Sequence, residues 1–131
     1  MNWKILLADD DLEDRMIIKE ALESFDAGNI ILFAKNGADV LDILNKNYLL
    51  NKIPQLIVLD LNMPLLNGTQ TLTLIMADER FKHIPVVIYS TSINPLEKEK
   101  CMQLGARYYI TKPISYQESI QTARHFLELC E

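Results

Sequence analysis

The stretch Leu56–Asp60, LIVLD, is a run of four apolar residues that ends in a carboxylate. Continuous apolar runs of this length, bounded by polar or turn residues, are typical of strands that are buried on both faces of a sheet. Four similar runs occur along the chain, at Trp3–Ala8, Ile30–Ala34, Val86–Tyr89 and Tyr108–Ile110. The sequence therefore predicts five short buried strands.

Segments of helical period separate and follow these runs. Their apolar residues recur at spacings of three and four, which places them on one face of a helix. The predicted stripes are Ile17, Ala21, Leu22 and Phe25; Val40, Leu41 and Leu44; Leu72, Ile75 and Met76; Leu96, Lys100 and Leu104, which follow the helix-start signal Asn94-Pro95; and Ile120, Ala123, Phe126, Leu127 and Cys130. Strands alternating with helices predict an α/β fold, a doubly wound five-stranded parallel sheet with helices on both faces.

Length and charge restrict the function. A chain of 131 residues is the size of one domain, and we expect a single domain over 1–131 with no output domain. The net charge of -5, without a basic stripe, argues against direct binding to nucleic acid. No apolar run is long enough to span a membrane and the start lacks a signal-peptide pattern, so the expected location is cytoplasmic. Cys101 and Cys130 have no neighbouring ligands that would suggest zinc.

Polar side chains follow the predicted strands where each one ends. The first strand is followed by Asp9, Asp10 and Asp11, the third by Asp60, the fourth by Ser90 and the fifth by Lys112. In a parallel sheet these carboxyl ends lie along one edge, where ligands bind. Clustered carboxylates repel one another unless a cation intervenes, and an all-oxygen ligand set favours Mg²⁺ or Mn²⁺.

Each of these residues also has an ordinary structural explanation. One aspartate of the triplet could cap the following helix, Ser90 could be a turn residue, and Lys112 could be a solvated loop lysine. Three aspartates exceed what a cap needs. Because Asp60 and Lys112 reach the same edge independently, the functional interpretation is the better one.

In this order the residues resemble the receiver domains of two-component signalling, whose fold is flavodoxin-like, (βα)5. The features are Asp9 and Asp10, the segment Leu59–Pro64 with Gly68 after it, Ser90, and Lys112-Pro113. The match spans nearly the whole chain and includes the stand-alone, chemotaxis-type regulators. The segment 45–54 is longer than a minimal connection and resembles the receivers that accompany phytochrome-type kinases.

The resemblance implies a role for each site residue. Asp60 is the phosphoryl acceptor; Asp10 and Asp60 bind Mg²⁺ directly, Asp9 binds it largely through water, and Asn62 contributes its backbone carbonyl. Lys112 pairs with the phosphoryl group or with the Asp60 carboxylate.

A second part of the resemblance concerns the switch. Ser90 moves towards the added oxygens, and the rotamer of Tyr109 follows, although packing at a sheet edge would also explain this tyrosine. Thr91 replaces a very small residue common in the family, which implies narrower access to Asp60. The family also implies a cis Lys112-Pro113 bond, whereas the sequence permits either isomer.

The partners expected from the resemblance are a sensor histidine kinase or histidine phosphotransfer protein and a downstream protein target. The chain would be a monomer or a weak homodimer. It would not be an enzyme beyond its own phosphorylation and slow autodephosphorylation.

Three other functions fit the sequence less well. A hydrolase of the haloacid dehalogenase type needs a second carboxylate two residues after the nucleophile, where this chain has Asn62. A scaffold that is never phosphorylated would not need the intact acidic set. A dinucleotide-binding fold needs a glycine-rich turn where this chain has aspartates.

Overall fold

Five short strands form one parallel sheet in the computed structural model, which describes residues 3–130. The strand order is β2-β1-β3-β4-β5, and each neighbouring pair is parallel. The elements in chain order are β1 (Ile5–Ala8), α1 (Leu12–Glu23), β2 (Ile31–Ala34), α2 (Gly37–Tyr48), β3 (Leu56–Leu59), α3 (Gly68–Met76), β4 (Val86–Ser90), α4 (Pro95–Gln103), β5 (Tyr108–Thr111) and α5 (Tyr116–Leu129). The predicted doubly wound architecture is confirmed.

The sheet separates two hydrophobic layers because successive side chains of a strand point to opposite faces. In β1, Ile5 and Leu7 pack in the layer that contains α1 and α5, whereas Leu6 and Ala8 pack in the layer that contains α2, α3 and α4. All four side chains are fully buried. Burial on both faces explains why the central strands are continuous apolar runs rather than alternating ones.

The edge strand β5 differs from this prediction. Tyr108 and Thr111 are exposed and the residues between them are only half-buried. An edge strand has a neighbouring strand on one side alone. Its outer side therefore stays open to solvent. Continuous apolar sequence therefore did not distinguish this edge strand from the central strands.

Two predicted helix faces were partly wrong. In α1 the buried residues are Ile18, Ala21 and Leu22, whereas Ile17 is 41% exposed. In α4, Leu96 is 74% exposed and Lys100 is also exposed. The buried residue of α4 is Cys101, so the helix is rotated relative to the predicted stripe. A nine-residue helix with few apolar residues has a face that tertiary packing decides.

Side chains cap the start of every described helix. The caps are Asp11, Asn36, Asn67, Asn94 and Ser115. The long connection predicted at 45–54 is shorter in the structure, because α2 continues to Tyr48. Cys101 and Cys130 are free thiols. Within residues 3–130, no helix combines the length and the apolar character that crossing a membrane would require.

Candidate phosphoryl and metal site

The polar edge of the sheet is formed where β1, β3, β4 and β5 end. Asp9 and Asp10 follow β1, Asp60 follows β3, Ser90 is the last residue of β4, and Lys112 follows β5. Parallel pairing in register brings these ends together, since Ala8 pairs with Leu59 and Ser90 pairs with Thr111. Side chains that are far apart in the sequence are therefore neighbours at this edge.

Three carboxylates converge at this edge. Asp9, Asp10 and Asp60 each offer one oxygen atom, and these oxygens all lie within 4.8 Å of one another. Asp9 is fully buried and Asp60 is 6% exposed, whereas Asp10 is exposed to solvent. The carboxylate cluster is therefore buried at Asp9 and Asp60 and accessible to solvent at Asp10.

The three consecutive aspartates after β1 have different roles. Asp11 is the N-cap of α1, because its side chain accepts the backbone N–H of Asp14 at 3.1 Å. Asp9 accepts the backbone N–H of Asp11 at 2.9 Å through Oδ1. Helix capping therefore explains Asp11 and leaves Asp9 and Asp10 available to the site.

Lys112 lies at the centre of the acidic groups and is 8% exposed. Its Nζ is 2.7 Å from Asp14 Oδ2, 2.8 Å from Asp9 Oδ2 and 3.2 Å from Asp60 Oδ2. Among the described residues, Asp9 Oδ2 accepts no hydrogen bond, so its contact with Lys112 is an ion pair without hydrogen-bond geometry. One buried cation thus faces three carboxylates.

The burial of these groups changes their affinity for protons. Loss of solvent raises the pKa of Asp9 and of Asp60, although Lys112 acts in the opposite direction on both. Burial alone would lower the pKa of Lys112, but its contacts with Asp14, Asp9 and Asp60 outweigh this effect and raise the pKa. The lysine is therefore held in its charged form, while the two buried carboxylates are incompletely compensated.

These observations fit a divalent cation. The donor atoms are all carboxylate oxygens, which hard cations prefer, and one buried oxygen, Asp9 Oδ2, is left without a hydrogen bond. Two buried carboxylates with raised pKa values would be stabilised by a further positive charge.

Asn62 is placed less directly than the aspartates. Its side chain is exposed, and its backbone N–H lowers the pKa of the Asp60 carboxyl group. No contact of its carbonyl oxygen with the acidic cluster is seen in the described part of the chain. The role of this carbonyl as a metal ligand stays a prediction.

Gly68 brings the start of α3 against the backbone of Asp60. A Cβ atom on Gly68 would lie 2.4 Å from the Asp60 carbonyl oxygen and 2.9 Å from Leu61 Cα. No side chain fits at these distances from backbone atoms. The glycine after the Leu59–Pro64 segment is therefore required by the close approach of helix and strand end.

Ser90 and Tyr109 meet at the backbone of Ser92. Ser90 is fully buried, and its Oγ accepts the backbone N–H of Ser92 at 3.1 Å. The hydroxyl of the half-buried Tyr109 donates to the Ser92 carbonyl at 2.8 Å. The two predicted switch residues are thus linked through one loop residue, and Thr91, which follows Ser90, is exposed.

The sequence reasoning missed Asp14 and Arg15. Asp14 makes the shortest contact with Lys112, and Arg15 donates from Nη1 to the Asp9 carbonyl at 3.0 Å. Both lie in the first turn of α1, close behind the aspartate triplet, but no local pattern in the sequence indicates their partners. The Lys112-Pro113 bond, which the family resemblance implied to be cis, is trans, as are the other described peptide bonds.

Comparisons with known proteins agree with this geometry. Residues 5–124 match the family model of the response regulator receiver domain. The chain is 35% identical over 117 residues to a protein-glutamate methylesterase/protein-glutamine glutaminase of Methanococcoides burtonii, covering 88% of this chain but only 31% of that protein. The chain thus spans about a third of the length of this relative.

Two solved structures are similar over almost their full length. The phosphorylated cyanobacterial phytochrome response regulator RcpA is 32% identical, with a TM-score of 0.85, covering 98% of this chain and 93% of that one. The Mn²⁺-bound form of response regulator Rcp1 is 27% identical, with a TM-score of 0.81, covering 93% of this chain and 89% of that one. With the fold, the polar edge and the family match in agreement, this chain belongs to the receiver domains of two-component response regulators.

Proposed function

We propose that this receiver domain takes a phosphoryl group onto Asp60 with the help of Mg²⁺, and that the modification changes its affinity for a partner protein. Membership in the family implies phosphorylation-dependent signalling, a phosphodonor kinase or phosphotransfer protein, and downstream targets. Receiver domains are generally not true enzymes.

The observation that carries the proposal is the contact of Lys112 with Asp60 beside two further carboxylates. Asp60 Oδ2 lies 3.2 Å from the Lys112 ammonium, and Asp9 and Asp10 complete an oxygen cluster. Phosphoryl transfer asks a protein mainly to position the reacting groups and to neutralise oxygen charge. This edge of the sheet offers a carboxylate nucleophile together with groups suited to that task.

The proposed transfer is a displacement at phosphorus. A carboxylate oxygen of Asp60 attacks the phosphorus atom of a phosphohistidine, a new O–P bond forms, and the P–N bond breaks. The electron pair of the broken bond stays on the imidazole nitrogen of the donor. The signal ends by hydrolysis. Water attacks the phosphorus atom, the O–P bond to Asp60 breaks, and inorganic phosphate leaves while Asp60 is again a free carboxylate.

Receiver domains bind a divalent metal in an acidic pocket, and one similar structure is a Mn²⁺-bound form. Here Asp10 and Asp60 would hold Mg²⁺ directly, with Asp9 acting largely through water and Asn62 through its carbonyl. The ion would neutralise oxygen charge on the transferred group. Lys112 would neutralise a further oxygen, and Asp60 supplies the attacking atom.

The proposed readout runs through Ser90 and Tyr109. Phosphorylation would draw the Ser90 hydroxyl towards the new oxygens, which would release the Ser92 N–H that Ser90 now accepts. Because Tyr109 holds the carbonyl of the same residue, this change would reach the tyrosine. A local electrostatic event would thereby alter the surface near α4 and β5. That the chain is one receiver domain without an output domain stays a prediction.

The test is intact mass spectrometry after incubation with acetyl phosphate and Mg²⁺, comparing the native chain with Asp60→Asn. One phosphoryl adduct on the native chain, absent from the variant, is the expected result. An adduct of equal yield on the variant would place the acceptor elsewhere. No adduct with acetyl phosphate or with an added phosphorylated histidine phosphotransfer protein would favour a scaffold that is not phosphorylated.

A further inference from the structure

Asp14 is a fourth carboxylate at the site, and its position is fixed from the helix side. It lies in the first turn of α1, where its backbone N–H donates to the capping side chain of Asp11 at 3.1 Å. Its Oδ2 accepts from Lys112 Nζ at 2.7 Å, the shortest of the three contacts of this ammonium. Asp14 is not one of the three carboxylates whose oxygens cluster within 4.8 Å. It therefore acts on the site through Lys112.

Three contacts with carboxylates hold the Lys112 ammonium in this state. An ammonium group has three donors, and two of those of Lys112 are hydrogen-bonded, to Asp14 and Asp60, while Asp9 Oδ2 forms an ion pair with it at 2.8 Å. Because three carboxylates hold the ammonium in its present place, moving Lys112 towards a phosphoryl oxygen on Asp60 requires one of these contacts to be lengthened or given up. Asp9 is fully buried, whereas the Asp14 side chain is 31% exposed. Water can replace the lost partner of Asp14 but not that of Asp9, so Asp14 is the contact that is released at least cost.

We propose, on the basis of the phosphoryl-acceptor function above, that Asp14 is a positioning residue that holds Lys112 in its resting place and opposes the phosphorylated state. The carboxylate competes with the phosphoryl oxygens for the same ammonium donor. Removing its charge frees Lys112 for Asp60 and favours the modified form. Asp14 would thus set how much of the protein is phosphorylated at a given donor concentration.

The test measures the binding of beryllofluoride, a non-covalent phosphoryl mimic, by isothermal titration calorimetry at saturating Mg²⁺. We expect Asp14→Asn to lower the dissociation constant roughly five- to tenfold, the scale of one charge-assisted hydrogen bond that water partly replaces. Glu13→Gln is the matched control, since it removes one charge from an exposed side chain in the same turn. Its dissociation constant should stay within about twofold of the native value.

A second comparison tests whether Asp14 acts through its contact with Lys112 or through the electrostatic effect of its negative charge alone. In a Lys112→Met background, checked for folding by circular dichroism, Asp14→Asn should leave beryllofluoride binding unchanged, because the residue through which Asp14 acts is gone. A gain of equal size in that background would overturn the proposal in favour of a simple charge effect. If the double variant does not fold, the comparison of Asp14→Asn with Glu13→Gln decides alone.

The failure of this proposal can be told apart from failure of the phosphoryl-acceptor function. If the native chain forms no adduct and binds no beryllofluoride, the acceptor function itself is wrong. If the native chain binds the mimic and Asp14→Asn binds no more tightly than Glu13→Gln, only the role of Asp14 is wrong. Weaker binding by Asp14→Asn would mean that Asp14 prepares Lys112 for the phosphoryl group, which is the opposite of the proposal.

Discussion

Replacing the proposed phosphoryl acceptor by its neutral isostere, Asp60→Asn, should make the protein more stable in the absence of metal. Asp60 is 6% exposed, and burial raises its pKa, so the charged form is disfavoured in the folded state. Asparagine has nearly the same shape and can still accept a hydrogen bond from Lys112. The substitution therefore removes an unfavourable charge without creating a cavity.

The size of the effect follows from the distances at the site. With an effective dielectric constant of about 20, a like charge within 4.8 Å repels Asp60 by about 3.5 kcal/mol or more, and the buried Asp9 contributes such a repulsion. Lys112 at 3.2 Å attracts Asp60 by about 5 kcal/mol on the same scale. The attraction thus exceeds this repulsion by about 2 kcal/mol at most, whereas removing the Asp60 charge from water costs several kcal/mol and is the largest influence on its pKa. We therefore expect Asp60→Asn to gain about 2 kcal/mol, which corresponds to about 7 °C in Tm for a domain of this size.

The assay is urea unfolding at pH 7 with EDTA, followed by far-ultraviolet circular dichroism, on the native chain, Asp60→Asn and Glu20→Gln. Glu20 is an exposed residue in the middle of α1, so this control changes the net charge equally but leaves the site intact. If Asp60→Asn is no more stable than the control, the buried charge of Asp60 does not destabilise the folded state and the reasoning is refuted.

The stability difference between Asp60→Asn and the native chain depends on pH. Because the pKa of Asp60 is raised in the folded state, the cost of its charge is fully present above that raised pKa. The cost disappears as the pH falls below the ordinary carboxylate value, where Asp60 is neutral in both the folded and the unfolded chain. The stability advantage of Asp60→Asn should therefore shrink on acidification, and an advantage that grows would contradict the sign of the shift.

Three further predictions concern the metal, the helix packed against the site, and the switch. Mg²⁺ at about 100 times its dissociation constant should stabilise the native chain by about 2.7 kcal/mol, and Asp10→Ala should lose most of this gain in a thermal melt; an unchanged Mg²⁺ response would exclude Asp10 as a ligand. Gly68→Ala should destabilise the fold by about 2–3 kcal/mol in urea unfolding, because its Cβ would lie 2.4 Å from the Asp60 carbonyl oxygen, and wild-type stability would show that α3 can shift freely. Tyr109→Phe should cost about 1 kcal/mol through the lost bond to Ser92, measured in the same way, and a neutral result would mean that water replaces the hydroxyl.

Much of the fold could be predicted from the sequence because the relevant signals are local. Burial on both faces requires nearly every residue of a central strand to be apolar, and the LIVL run of β3 meets this requirement by itself. Helix starts were likewise readable where a capping side chain precedes the helix, as at Asn94-Pro95. The positions of Asp9, Asp10, Asp60 and Lys112 at one edge followed from the rule that parallel strands end together.

What only the tertiary structure decided depends on contacts between distant residues. The rotation of α4 buries Cys101 and exposes Leu96. Packing against the sheet decides this rotation, because the helix itself has little amphipathic character. The contact of Asp14 with Lys112 joins the first turn of α1 to the end of β5, which no local pattern encodes. The sequence by itself therefore determined which groups line the edge of the sheet, since strand and helix periods are local. Their hydrogen-bond partners were decided by the tertiary structure, because hydrogen bonds are short and directional and depend on how distant elements pack together.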